Sequence, residues 1–481
     1  MPMRAIYRIG TALALAGCAG LSVAQTARSI SASDKASGAK AHPQLLEEFG
    51  GAYAGPQSAY VAQVGKRVAV QSGLSNSERD FTITLLNSPV NNAFAIPGGY
   101  VYVTRELLAL MNDEAELASV LGHEVGHVAA RHANKRNTTS TIGQVLAAGL
   151  GILTGNSQIG QIAGYGAQLY TLRFSRQQEY QADDLGIRYL KGSGYDPLAA
   201  ADMLASLNAQ SSLDARIAGK DANSLPTWAS THPNTAVRVT RARSKAQATG
   251  AVAGKGLRNR DAFLAALDGL IYEDDPKQGI VDGRSFKHPD LKIAFTVPQG
   301  FTIANGTQAV SVTGSGGQAQ FSGGRIPSGG LGGYIDAVFR ALSSGGVNYG
   351  DIRTTRVNGI NAAYASARAN SSAGQVDVTA FAYDMGGGSA YHFLTIAPAG
   401  QGLGPFGSLV QSFGRLSDAQ AAAIKPRRID VVTVKSGETL NSLAGRMAYS
   451  DYRLERFLVL NGLGSNSALR PGQKVKLVVY G

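Results

Sequence analysis

Apolar residues recur along this chain with two different periods, and the switch between them divides it. From about Pro43 to Lys245 the spacing is mostly helical. One stretch interrupts it: NAFAIPGGYVYVT, Asn92 to Thr104, is two short β-runs around Pro97-Gly98-Gly99, a hairpin signature. Behind it Asn112-Asp113 supplies an N-cap, Glu114 and Glu116 suit a first helical turn, and Ala115, Ala118, Leu121 and Val125 keep one apolar face. A second strongly periodic helix is expected over Phe174 to Leu190, closed by Gly192 and the turn Gly194-Tyr195-Asp196-Pro197. Between the two helices, Ile142 to Gly166 is Gly/Ala-rich and uncharged, its apolar run too short to span a bilayer, and reads as a flap or a packed hairpin.

After Lys245 the text turns Ala- and Gly-rich to Gly256, so 246–284 reads as a linker with a short helix. From Ser285 the period becomes two, in runs such as IAFTVP, VDVTAFAY and YHFLTIAP, with a helix candidate at Tyr334 to Leu342. Residues 285–420 are therefore expected to form a small α+β domain with an antiparallel sheet. No motif in it carries a reaction.

A length of 481 residues fits two to four domains at about 100–200 residues each. An apolar fraction of 44% and a charged fraction of 16% exclude a disordered chain. The first 25 residues differ: Arg4 and Arg8 precede the apolar run Ile9 to Gly17, the composition of an export signal. Cleavage after Ser22-Val23-Ala24 is one reading; the other is that Leu15-Ala16-Gly17-Cys18 resembles a bacterial lipobox, whose cysteine becomes a lipid anchor. Cys18 is the only cysteine, so the mature chain has no disulfide and rests on packing and any bound metal. The formal charge is +12, and the segment from Lys425 onward carries ten Lys/Arg against four Asp/Glu. Anionic polymers or lipid headgroups suit that excess, whereas nucleic acid is not expected, since no basic motif with interleaved aromatics appears.

The chemistry concentrates in LGHEVGHVAARH, Leu121 to His132, which holds three of the seven histidines. On a helix His123 and His127 lie one turn apart, about 5–6 Å at Cβ, close enough to share one ion. Glu124, beside the first, can serve as general base. His132, five residues past His127, is turned off that face and reads as structural. The sequence SRQQEYQADDLGIRYL then offers Glu179 as a third ligand for one Zn2+, with Asp183 a turn later accepting the free ring N–H of a ligating histidine. Asp184, a step round the helix, is expected to pair with Arg188 at solvent.

HEVGHVAARH, followed by SRQQEYQADDLGI and STHPNTAVR, closely resembles the HtpX- and CAAX-protease-like metallopeptidases, in particular their soluble periplasmic BepA-type branch. Over about residues 40–245 this resemblance implies a helix-rich gluzincin protease domain with metal ligands His123, His127 and Glu179 and the base at Glu124. It also draws His232 and Arg238 into the catalytic set with Asp183. His232 either donates to the oxyanion of the tetrahedral intermediate or fills the open zinc position in a latent resting state. Arg238 binds intermediate or substrate, or braces the fold. The hairpin strand is expected beside the zinc as an edge to which an extended, unfolded substrate adds.

VVTVKSGETLNSLAGRM and LERFLVLNGLGSNSALRPGQKVKLVV resemble a LysM domain over 428–480, which implies a βααβ module binding peptidoglycan. The 285–420 domain is faintly similar to PsbP-type sandwiches. Together these expectations describe an α+β multidomain protein of the periplasm, outer-membrane associated. It is read as a zinc metalloendopeptidase that degrades misfolded or stalled envelope proteins near peptidoglycan. The rival is a latent protease acting as chaperone or scaffold, and a cell-wall hydrolase comes third.

Overall fold

The computed structural model describes residues 29–133, 174–217, 219, 232, 235–342, 347–371 and 374–481; the export segment with Cys18 and the 142–166 stretch lie outside them. Helices α1 (Ala32–Glu48), α2 (Gln57–Ala69) and the one-turn α3 (Ser77–Asp80) lead into a small sheet of β1 (Thr82–Leu86), β2 (Ala93–Ile96) and β3 (Tyr100–Thr104). The strand order is β1-β3-β2, with β3 parallel to β1 and antiparallel to β2, so β2 forms an edge. The hairpin turns where only glycine fits: Gly98 and Gly99 have φ of 94° and 85°, and a Cβ at Gly99 would stand 2.2 Å from Asp80 O.

Helix α4 (Arg105–Leu110) runs into α5 (Glu114–Ala129), which carries the histidine motif. Asp113 is the N-cap of α5, its carboxylate accepting from Glu116 N at 2.9 Å, which meets one of the helix's free amides. Helix α6 (Arg176–Gly192) opens on a capping box between Ser175 and Gln178 and presents Glu179, Ala182, Asp183, Gly186 and Ile187 as its buried face. The two helices cross closely because small residues meet at the crossing. A Cβ on Gly126 would lie 3.2 Å from Ala182 O, and one on Gly186 would lie 3.1 Å from His123 N. Helices α7 (Ala199–Ile217) and α8 (Thr235–Ala248) complete this unit.

The stretch expected as a linker is packed for most of its length. Val252 and its neighbours to Gly256 are exposed, but Arg258 then spans three carboxylates, Asp113 (3.1 Å), Asp196 (3.0 Å) and Asp202 (2.7 Å). Helix α9 (Arg260–Leu267) buries Phe263, Leu264 and Leu267 in the core that holds α2 and α5. The apolar spacing of Phe263 to Leu270, rather than the Ala/Gly composition before it, decides the outcome.

Strand β4 (Ile271–Tyr272) next pairs with β16 (Arg427–Thr433), which pairs with β17 (Lys474–Tyr480). Two short helices, Leu440–Ala444 and Arg453–Leu460, lie between β16 and β17. Ile429, Leu443, Phe457, Leu460, Val475 and Leu477 from this module belong to the same hydrophobic core as the histidine helix. Between β4 and β16 stands a two-sheet sandwich built from β5 (Ile280–Asp282), β6 (Ser285–His288), β7 (Ile293–Thr296), β8 (Thr302–Asn305), β9 (Val310–Gly314), β10 (Gly317–Arg325), β11 (Arg353–Val357), β12 (Ile360–Ser371), β13 (Gly374–Gly386), β14 (Ser389–Pro398) and β15 (Gly414–Arg415). A seven-stranded antiparallel sheet of order β11-β12-β13-β14-β10-β9-β8 faces a four-stranded one, β15-β7-β6-β5. Phe286, Phe295, Phe321, Phe393 and Phe413 fill the space between the sheets, and α10 (Gly330–Ala341) covers the outer face of the larger one. No helix among the described residues is long and apolar enough to cross a membrane.

Candidate metal centre

Helix α5 aims His123 and His127 at one point, their Nε2 atoms 3.0 Å apart. Glu179, on the buried face of α6, reaches between them: Oε2 is 3.5 Å from His123 Nε2 and Oε1 is 3.6 Å from His127 Nε2. His232 comes in from the far side, with Nδ1 3.2 and 3.1 Å from the two Glu179 oxygens and Nε2 3.2 Å from Ala93 O on the edge strand β2. These four residues are buried, and each offers one ligand atom within 4.8 Å of the others, a group able to hold one metal ion. Two imidazole nitrogens facing each other at this distance fit a shared cation, since ligands about 2.0–2.1 Å from a tetrahedral zinc lie roughly 3.3 Å apart.

The outer nitrogens of both helical histidines are held as well. Asp183 Oδ1 lies 2.9 Å from His123 Nδ1, so the face-sharing of Glu179 and Asp183 on α6 places both carboxylates against the same imidazole. On His127 the partner is His132, Nδ1 to Nδ1 at 2.9 Å. An ideal helix extended past His127 puts His132 off this face; the helix in fact ends at Ala129. Arg131 then takes φ 54°, and the chain folds back so that His132 N donates to His127 O at 3.0 Å. Phe174 stacks on the His127 ring at 3.8 Å between centroids.

Arg238, from α8, is buried against α6. Its Nε and Nη2 fork Asp183 at 2.8 and 2.7 Å, and its Nη1 reaches Glu179 Oε2 at 2.7 Å. Asp184 turns away from the centre, and its partners are Arg241 (2.6 Å to both carboxylate oxygens) and Lys245 (3.3 Å), not Arg188 as the helix spacing suggested. The close packing of α8 on α6 delivers a bidentate guanidinium that the same-helix arginine cannot match.

The charges at the centre act on its two helical histidines in opposite directions: burial disfavours the cation at His123, but Asp183 and Glu179 outweigh it and raise its pKa to about 9. Burial, with His123 beside it, pushes His127 well below the ordinary histidine value and keeps it neutral. Burial opposes ionisation of Glu179, but His232 and Arg238 outweigh it and hold the carboxyl well below its usual range. Asp183, likewise buried, is drawn down to about 2, chiefly by Arg238. Glu124 differs: it is wholly buried, its pKa is raised by that burial, and neither of its oxygens has a hydrogen-bond partner among the described residues. The nearest ring nitrogen, His232 Nε2, is 3.7 Å away. A buried carboxylate left without partners costs several kcal/mol unless something from outside meets it, about 1–3 or more for each lost charged bond. Beside His127 a shallow apolar cleft runs between Ala95 and Ile96 of β2 and Val128 and Phe174.

The profile of peptidase family M48 matches residues 56–246, and that of the LysM domain matches residues 432–478. This chain carries an M48 peptidase domain. Its HEVGH helix, edge strand and Glu179 helix all fall within the matched range, while the sandwich separates the M48 and LysM domains in sequence. Among curated relatives, the chain is similar to the mitochondrial metalloendopeptidase OMA1 of Schizosaccharomyces pombe: 29% identity over 204 residues, 41% of this chain and 57% of the relative. It is similar to the beta-barrel assembly-enhancing protease of Yersinia pestis at 34% identity over 197 residues, 39% of this chain and 38% of that protein. The chain thus spans from under two fifths to a little over half of these relatives' length. A solution structure of cyanobacterial PsbP from Synechocystis covers 28% of this chain and 98% of its own, at 13% identity and a TM-score of 0.22.

Proposed function

We propose that this protein is a zinc-dependent metalloendopeptidase of the bacterial envelope, which cleaves misfolded or stalled envelope proteins and is held near peptidoglycan by its LysM domain. The Glu124 carboxylate, buried and without a hydrogen-bond partner among the described residues, carries the reading: holding a metal needs His123, His127 and Glu179 but has no use for such an acid, whereas hydrolysis has. When bound, zinc supplies the Lewis acidity that polarises a scissile carbonyl and acidifies water. Glu124 takes the proton of the attacking water on its carboxylate and returns it to the leaving amine. Asp183 accepts the Nδ1 proton of His123, which would leave the Nε2 lone pair free to hold the ion, and Arg238 braces Asp183 and Glu179 rather than reaching for substrate.

His232 would join His123, His127 and Glu179 in holding the ion at rest and, once turned away, would donate to the oxyanion; its place in the four-residue group and its contact with Ala93 O support this double duty. The β2 edge next to it suits an extended backbone, so unfolded chains are the natural substrates. The names of the relatives, a metalloendopeptidase and a beta-barrel assembly-enhancing protease, support both the activity and an envelope address. The LysM domain and the basic C-terminal segment support peptidoglycan as neighbour, and Cys18 supports a lipid anchor at the outer membrane.

Glu124→Gln tests the mechanism. Cleavage of an unfolded casein should fall by about 100- to 10,000-fold, with zinc content unchanged. Undiminished cleavage by the variant sinks the mechanism. A wild-type protein that binds zinc yet cleaves nothing turns the reading toward the chaperone or scaffold.

A further inference from the structure

We propose that His132 and Gln181 form a positioning pair that fixes the tautomer of His127; this rests on His127 being a metal ligand. The geometry permits one neutral arrangement. Gln181 Oε1, an acceptor only, lies 3.0 Å from His132 Nε2, so that nitrogen carries the proton. A neutral His132 then has a bare Nδ1, and its neighbour at 2.9 Å, His127 Nδ1, must be the donor. With its proton on Nδ1, His127 presents a lone pair at Nε2, the atom that faces His123 Nε2 at 3.0 Å. The relay therefore runs from an amide on α6, through the folded-back end of α5, to the ligand atom. His123 has its own orienting group in Asp183, and His132 gives His127 an uncharged counterpart.

The turn that carries His132 is anchored for this task. Gln178 Nε2 donates to His132 O at 3.3 Å, and His132 N is held by His127 O at 3.0 Å. Gln178 and Gln181 flank Glu179 on α6, so the helix that brings the carboxylate ligand also holds the orienting histidine. His132 is fully buried although it follows the last turn of its helix, a costly location for an imidazole unless both nitrogens are met.

The test uses the full-length protein, a zinc titration against a chromophoric chelator, and 15N spectra of the histidine rings in the zinc-free state. His132→Leu removes the acceptor and should weaken zinc binding about 10- to 100-fold, with His127 no longer held in its Nδ1–H form. His132→Asn puts a carboxamide oxygen where Nδ1 stood and should recover most of the affinity and the tautomer. Wild-type affinity and an unchanged His127 tautomer in His132→Leu overturn the proposal. Equal loss in the Leu and Asn variants, with the tautomer unaltered, overturns it too, because packing alone then explains the effect. His127→Ala keeps the two readings apart: zinc bound there as tightly as in the wild type removes the ligand assignment itself, whereas zinc lost there but kept in His132→Leu removes only the positioning role.

Discussion

Lys476→Met should loosen the start of the metal-binding helix from a residue in another domain. Lys476 lies on β17 of the LysM domain, fully buried, and its Nζ donates to Ala109 O at 2.6 Å and Met111 O at 2.5 Å, the carbonyls that close α4 just before the Asp113 cap of α5. Its own strand position is fixed by Asn461, which accepts from Lys476 N at 2.7 Å and donates to Lys476 O at 2.9 Å. Methionine keeps the stem and removes the donors, stranding two buried carbonyls at about 1–3 kcal/mol each. Relief of the ammonium's burial, which holds the lysine well below its ordinary pKa, offsets part of this. The net cost is about 2–4 kcal/mol, so amides of α4 and α5 should exchange with deuterium roughly 30- to 900-fold faster. Exchange should quicken in the LysM strands as well, since both sit in one core. Peptide-level exchange mass spectrometry on the full chain reads both regions at once. Unchanged exchange over residues 105–129, with acceleration confined to the LysM domain, would refute the argument that the two are energetically one unit.

Two further outcomes follow from the geometry. Gly186→Val sets a branched side chain where a single Cβ already comes within 3.1 Å of His123 N; it should cost about 1–3 kcal/mol and weaken zinc binding about tenfold or more as α6 backs away, and wild-type affinity at an unchanged melting temperature would show that the crossing is not tight. The full chain should sediment with purified peptidoglycan at raised salt and be released by N-acetylglucosamine oligomers; release by salt alone, which screens surface charge over about 3 Å at 1 M, would reduce the interaction to the basic excess.

Local periodicity carried the elements around the centre. The Pro97-Gly98-Gly99 turn, the Asp113 cap and the capping box at Ser175 are each written in a few adjacent residues, and the structure has a hairpin and two helices there. Helical spacing puts His123 with His127 and Glu179 with Asp183 on one face each, and the packing of α5 on α6 brings the two pairs together. The place of His132 is not legible in the same way, because it depends on where α5 stops, and Arg131 at φ 54° is no recognised stop signal. The Asp184 partner was misread for a related reason: spacing within α6 names Arg188, but packing between helices supplies Arg241. The role of Lys476 was hidden further still, since nothing near it in sequence tells that a basic residue on the last strand will plug the end of a helix 365 positions earlier.

With β4 and β16 in one sheet and Lys476 seated on α4, the LysM domain packs directly against the unit that carries the candidate metal centre. Its turns at 435–439 and 464–472 stay largely exposed. On the proposed function, a wall polymer held by this domain would fix the bearing of the cleft as well as its distance, much as a compass needle is set by its pivot. The attached enzyme would then sample a narrow shell of space at one orientation, and proteins that drift past in other attitudes would be left alone.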